Sequence, residues 1–164
     1  METKTQTTQS VLLIDDDLLH GALIRAVLET AGISVFTACS EQEACDVLRT
    51  TIPDALLVGW DAEGIDGRAV LTRLKARMPL LRGVPAVLMT DRDLCDRARR
   101  ELLQAGHEWV LQKPVVVTSL PKLVAHAVAE ARSRARESRY VRQSRVHFID
   151  CGSTASDCFM EAVR

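Results

Sequence analysis

Short, continuous apolar runs alternate along this chain with segments whose apolar positions recur every three or four residues. Val11-Leu12-Leu13-Ile14 is the first run, and four consecutive apolar positions suit a strand buried on both faces. After Asp15-Asp16-Asp17 the period changes: Leu19, Leu23, Val27 and Leu28 predict the apolar stripe of a helix that Gly32 ends. Ile33 to Thr37 predicts a second strand, and Ala44, Val47 and Leu48 mark a second helix. A third strand follows at Ala55-Leu56-Leu57-Val58, a helix runs through Val70, Leu71 and Leu74, and a strand extends from Val84 to Met89. The fourth helix carries Leu94, Ala98, Leu102 and Leu103 as far as Gly106, and Trp109 to Leu111 forms a fifth strand. Leu120, Leu123, Val124, Ala127, Val128 and Ala131 stripe the fifth helix. Five strand–helix units in strict alternation predict an α/β fold, a doubly wound five-stranded parallel sheet with helices on both faces.

Composition narrows the class without naming a function. The 164 residues are 47% hydrophobic and 26% charged, which suits one compact domain with a short appendage and excludes wholesale disorder. The net charge of −1 conceals an asymmetry, because residues 130–164 hold seven basic and five acidic side chains whereas the remainder is net acidic. Residues 1–9 are polar and Thr/Gln-rich and read as a disordered lead segment, 10–130 as the domain, and 131–164 as a basic extension of the last helix followed by a short strand and helix. The five cysteines include no CxxC pair, so they read mostly as small core residues of a reduced, cytoplasmic protein. The polar start does not resemble a signal peptide, and no apolar run approaches the roughly 18 residues of a membrane span.

In a doubly wound sheet the working site lies beyond the carboxyl ends of the strands. Those ends place Asp15, Asp16 and Asp17 beside Gly59 to Asp61, Thr90 with Asp91, and Lys113-Pro114. Adjacent carboxylates repel one another unless a cation compensates, and hard oxygen ligands suit Mg²⁺. Lys113 could meet either those carboxylates or a phosphoryl group. A local alternative is that Asp16 or Asp17 caps the first helix while Lys113 neutralises the rest.

The ordered set Val11–Asp17, Ile65-Asp66-Gly67, Val87–Thr90, Ala105-Gly106 and Lys113-Pro114 resembles the receiver domain of two-component response regulators over residues 10 to about 130. The resemblance implies a flavodoxin-like (CheY-like) sheet of strand order 2-1-3-4-5. It also implies phosphoryl transfer from a histidine kinase to an Asp at the end of the third strand, assisted by Mg²⁺. Asp15 and Asp16 match the family's metal-binding acidic pair, Thr90 its phosphoryl-sensing hydroxyl and Lys113 its contacting lysine.

The departure from the pattern is central. Gly59 stands at the acceptor position, Ala62-Glu63 replaces the usual Met-Pro, and Val110 replaces the switch aromatic, although Trp109 is adjacent. Glycine cannot accept a phosphoryl group, and loss of one carboxylate leaves Asp15 and Asp16 a weak Mg²⁺ site or none. The expectation is therefore a non-enzymatic pseudo-receiver, a phosphorylation-independent interaction module that needs no cofactor, in which Lys113 pairs permanently with Asp16 or Asp15. Two alternatives stand beside it: phosphorylation at a surrogate such as Asp61, and a small Mg²⁺-dependent phosphatase of haloacid-dehalogenase type suggested by Asp15-Asp16-Asp17. None of the four histidines shows metal-ligand spacing, and they read as surface or helix-cap residues.

The expected partners are signalling or regulatory proteins, a histidine kinase or a transcription regulator among them. By the resemblance, the interaction face would be the fourth helix, fifth strand and fifth helix, with Arg97, Arg100, His107, Trp109 and Val110. The same face or the extension would serve a homodimer. Arg132, Arg134, Arg136, Arg139, Arg142 and Arg145 fall within 14 positions and read either as a solvated helix end or as a candidate handle for an acidic partner or nucleic acid. The extension is too short for a helix-turn-helix, which argues against sequence-specific DNA binding.

Overall fold

The structure, a computed structural model, describes residues 8–62, 65–92, 95–104, 109–113, 115–137 and 147–149. The five predicted strands are β1 (Ser10–Ile14), β2 (Ser34–Ala38), β3 (Ala55–Gly59), β6 (Ala86–Thr90) and β7 (Trp109–Gln112). They are joined by helices α1 (Leu18–Thr30), α2 (Glu41–Thr50), α3 (Gly67–Arg77), α4 (Asp96–Gln104) and α5 (Leu120–Glu137). A two-residue antiparallel hairpin, β4 (Asp61–Ala62) with β5 (Ile65–Asp66), follows β3. The sheet is parallel with order β2-β1-β3-β6-β7, as expected, and β8 (His147–Ile149) from the extension adds a sixth strand beside β7.

The continuous apolar runs arise because the sheet is covered on both sides. Leu12, Ile14, Leu56, Val58, Leu88 and Val110 pack with α2, α3 and Leu102 of α4 on one face. Val11, Leu13, Leu57, Val87, Met89 and Trp109 pack with α1 and α5 on the other. Successive side chains of a strand alternate between faces, so each run feeds two cores at once.

Capping residues start the helices where the sequence changes period. The Asp17 side chain accepts the Leu19 and His20 N–H groups at 3.0 Å, Ser40 caps α2 through Glu43 N–H, and Asp66 caps α3 through Ala69 N–H. Helices α2 and α3 are tied by Glu41, whose carboxylate meets Arg73 at 2.6 Å and Arg77 at 3.2 Å.

Several expectations change. The buried stripe of α1 is Ile24 and Leu28, while Leu18, Leu19 and Leu23 face outward. Of the described cysteines only Cys45 is buried, and Cys39 and Cys95 are exposed. Gln9, the last residue of the expected lead segment, is tied to the sheet, its carbonyl accepting the Ser34 N–H at 2.8 Å. Residues 1–7, Gly106, His107, Arg139, Arg142, Arg145 and the expected helix after residue 154 lie outside the described residues. No helix among those described is long and apolar enough to cross a membrane.

Candidate functional site

The carboxyl end of β1 delivers Asp15 into the sheet's upper surface, where it is buried together with Thr90 of β6. The Asp15 carboxylate has three partners. Its Oδ1 accepts the Asp17 N–H at 3.1 Å, and its Oδ2 lies 3.2 Å from His20 Nδ1 and 3.7 Å from Lys113 Nζ. Burial is the largest single influence on this carboxyl and pushes its pKa up. The His20 and Asp17 hydrogen bonds and the Lys113 charge together outweigh burial, leaving the pKa below the ordinary Asp value.

The empty side of Gly59 explains where Asp15 goes. A Cβ at residue 59 would lie 2.9 Å from Asp15 Cγ and 3.0 and 3.1 Å from its two oxygens. The carboxyl group thus fills the volume into which any side chain at 59 would have to project. Gly67, the first residue of α3, is needed for a related reason: a Cβ there would stand 2.0 Å from the Gly59 carbonyl oxygen. Backbone therefore meets backbone where β3 ends and α3 begins.

Lys113 and Thr90 are placed by the same ladder, because Lys113 N–H donates to the Thr90 carbonyl at 2.8 Å. The Thr90 hydroxyl accepts the Arg92 N–H at 3.1 Å, a local strand-end bond. Trp60, directly after Gly59, is buried with the Arg68 and Arg92 guanidinium groups 5.1 and 5.4 Å from its ring centroid.

The structure brings together Asp15, Gly59, Thr90 and Lys113 and decides between the two lysine pairings in favour of Asp15. Asp16 is half-buried beside them, and Asp17 is the helix cap. The backbone of Asp61 pairs with Asp66 in the hairpin that follows β3. The sequence reading missed His20. Once Asp17 is the cap, His20 is the third helical residue, and helical side chains lean back toward the amino end, here toward Asp15.

This donor set does not fit Mg²⁺. Asp15 Oδ2 already faces an ammonium and an imidazole, and position 59 contributes no oxygen ligand from a side chain. Among the described residues no three His, Cys, Asp or Glu side chains converge as a metal site.

Two residues of the expected interaction face are corrected. Trp109 and Val110 are 2% and 1% exposed, because β7 is covered by helices on both faces. Trp109 lies edge-on to His126 of α5 with centroids 5.6 Å apart, and Val110 points into the opposite core. Arg97 and Arg100 are exposed on α4, with Arg97 paired to Glu101. The basic extension is also partly committed: Arg132 binds Asp54 at 2.8 Å, Arg134 pairs with Glu130, and Arg136 is exposed.

A family model described as the response regulator receiver domain matches residues 11–125. The DNA-binding transcriptional regulator NtrC of Klebsiella pneumoniae is 30% identical over 150 residues, 92% of this chain and 29% of that protein. The transcriptional regulatory protein ZraR of Escherichia coli K12 is 28% identical over 145 residues, 88% of this chain and 32% of that protein. The chain thus spans about three-tenths of the length of these curated relatives. Among solved structures, the receiver domain of the Francisella response regulator 1452 superposes with a TM-score of 0.65 at 24% identity, covering 75% of this chain and 98% of that one. A putative response regulator from Chloroflexus aurantiacus gives 0.65 at 29% identity, with coverages of 74% and 98%.

Proposed function

Because this chain belongs to the response-regulator receiver family of two-component signalling, we propose that it is a pseudo-receiver, an interaction module whose surface does not await phosphorylation. The observation that carries this reading is the occupation of the Gly59 side-chain volume by the Asp15 carboxyl. An acceptor at 59 would need both a nucleophilic oxygen and room for the incoming phosphoryl group. Gly59 offers no oxygen, and Asp15 takes the room. Asp15 also gives Lys113 a permanent anionic partner, so the lysine is engaged without any modification. Such a module works by binding rather than by turnover. The NtrC and ZraR relatives are named as transcriptional regulators, which supports regulatory proteins as the class of partner.

The test is incubation with acetyl phosphate and Mg²⁺ followed by intact-mass measurement. The expected outcome is no mass gain. A stoichiometric phosphoryl adduct would overturn the proposal, and loss of that adduct in Asp61→Asn would assign the chemistry to Asp61. Release of inorganic phosphate from a phosphomonoester in the same mixture would instead support the phosphatase alternative.

A further inference from the structure

One edge of the sheet is β2, whose inner side is bonded to β1. The Ser34 N–H donates to the Gln9 carbonyl at 2.8 Å, and the Ala38 carbonyl accepts the Asp15 N–H at 3.1 Å. Main-chain groups alternate in direction along a strand, so residues 34, 36 and 38 face β1 while Ile33, Val35, Thr37 and Cys39 face outward. The two ends of this outer row are occupied. Ile33 N–H donates to the Leu28 carbonyl at 3.0 Å, and Cys39 N–H donates to the Glu43 carboxylate at 2.8 Å. Between them, Val35 and Thr37 have no partner strand among the described residues. A groove of about 440 Å³ opens beside this edge, lined by Glu29, Gly32, Ser34, Val35 and Phe36 and by Thr8, the first described residue.

We propose that residues 2–7 occupy this edge as a further strand, antiparallel to β2. Thr8 already lines the groove, so the residues before it are delivered to the outer side of β2. Gln9 bonds to Ser34 at the amino end of β2, and a chain followed backward along the edge therefore runs toward Ala38. That direction makes the pairing antiparallel. Glu2-Thr3-Lys4-Thr5-Gln6-Thr7 also places a β-branched residue at every second position, the pattern of a strand with two unlike faces. Six extended residues span about 20 Å, enough to cover the five residues of β2. The added strand satisfies the N–H and C=O groups of Val35 and Thr37, and it shields an edge otherwise open to pairing with other molecules. Its tether to β1 supplies a high local concentration, so a few ladder bonds suffice to hold it. The inference goes beyond the pseudo-receiver reading and does not depend on it.

The experiment reads amide hydrogen exchange at Val35 and Thr37 in the full-length chain and in Thr5→Pro/Gln6→Pro. Successive residues of a strand face opposite edges, so one of the two prolines necessarily removes a donor aimed at β2. In the unmodified chain both amides should exchange slowly, and dilution should not change their rates. In the double-proline variant, and in a chain lacking residues 2–7, they should exchange at least about tenfold faster while β1 and β3 keep their protection. Thr5→Val/Gln6→Val retains both donors and should keep the slow exchange. Equal rates with and without residues 2–7 would show that the segment does not cover the edge. Protection that is lost on dilution would place a second molecule there instead. Protection lost in the shortened chain but kept with both prolines, or lost equally with both valines, would show a cover that is not a strand. Each of these results overturns the proposal.

Discussion

At residue 59 the absence of a side chain leaves the volume in which the Asp15 carboxyl sits. His20, Lys113 and the Asp17 N–H offset the cost of burying its charge. Gly59→Ala should therefore destabilise the protein by about 1–3 kcal/mol, because its methyl group forces Asp15 away from these partners. Chemical denaturation checks this, and an unchanged midpoint would mean that the carboxyl has another place to go. Lys113→Ala should cost a similar amount, about 1–3 kcal/mol, by leaving a buried carboxylate with one cationic neighbour fewer. His20→Ala in the Lys113→Ala background should then show non-additivity, since Lys113 Nζ and His20 Nδ1 face the same Asp15 oxygen.

At the scale of elements, α1 and the α2–α3 pair make separate predictions. Leu19 and Leu23 repeat with the helical period, yet the buried stripe, Ile24 and Leu28, lies one residue around the helix. Leu19→Ser and Leu23→Ser should shift stability by no more than about 0.5 kcal/mol. Ile24→Ala should cost about 2–5 kcal/mol, and thermal melts of the three variants separate the cases. Between α2 and α3, the hydrogen bond from Arg73 is the main cause holding the Glu41 carboxyl below its ordinary pKa. A depressed native pKa makes this contribution complete above the unfolded value, about 4.3 for Glu, and it is lost as pH falls through the lower native value. A Glu41→Gln and Arg73→Ala double-mutant cycle should give a small favourable coupling at neutral pH, because the pair is solvent-screened. That coupling should shrink in high salt and vanish on acidification.

For the whole molecule, charge asymmetry proves less segregated than composition suggests. Charge alone offers the arginines at the end of α5 as a solvated helix end or a binding handle, but Arg132 reaches across to Asp54, whose other carboxylate oxygen accepts the Ser10 N–H at 2.9 Å. The start of the extension is thereby fastened to the loop before β3 and to the first strand. Arg132→Ala should lower stability by less than about 1 kcal/mol, since the pair is largely solvent-exposed. Its larger effect should be faster amide exchange at Ser10 and Asp54, and unchanged exchange there would show that the pair anchors nothing.

The sequence by itself determined the alternation of strands and helices, the parallel sheet and the end of it on which to look. Apolar runs buried on two faces and helical stripes between them are local patterns that the chain states directly. Asp15, Gly59, Thr90 and Lys113 were legible for the same reason, each standing at the carboxyl end of a strand. Tertiary structure alone decided what depends on distance between elements: that Lys113 chooses Asp15, that His20 leans back onto it, and that Arg68 and Arg92 both reach the Trp60 ring. It also decided that Trp109 and Val110 are core and that residues 147–149 join the sheet. Burial and edge pairing depend on which surfaces the fold brings together, and no periodicity within one segment records its neighbour in space.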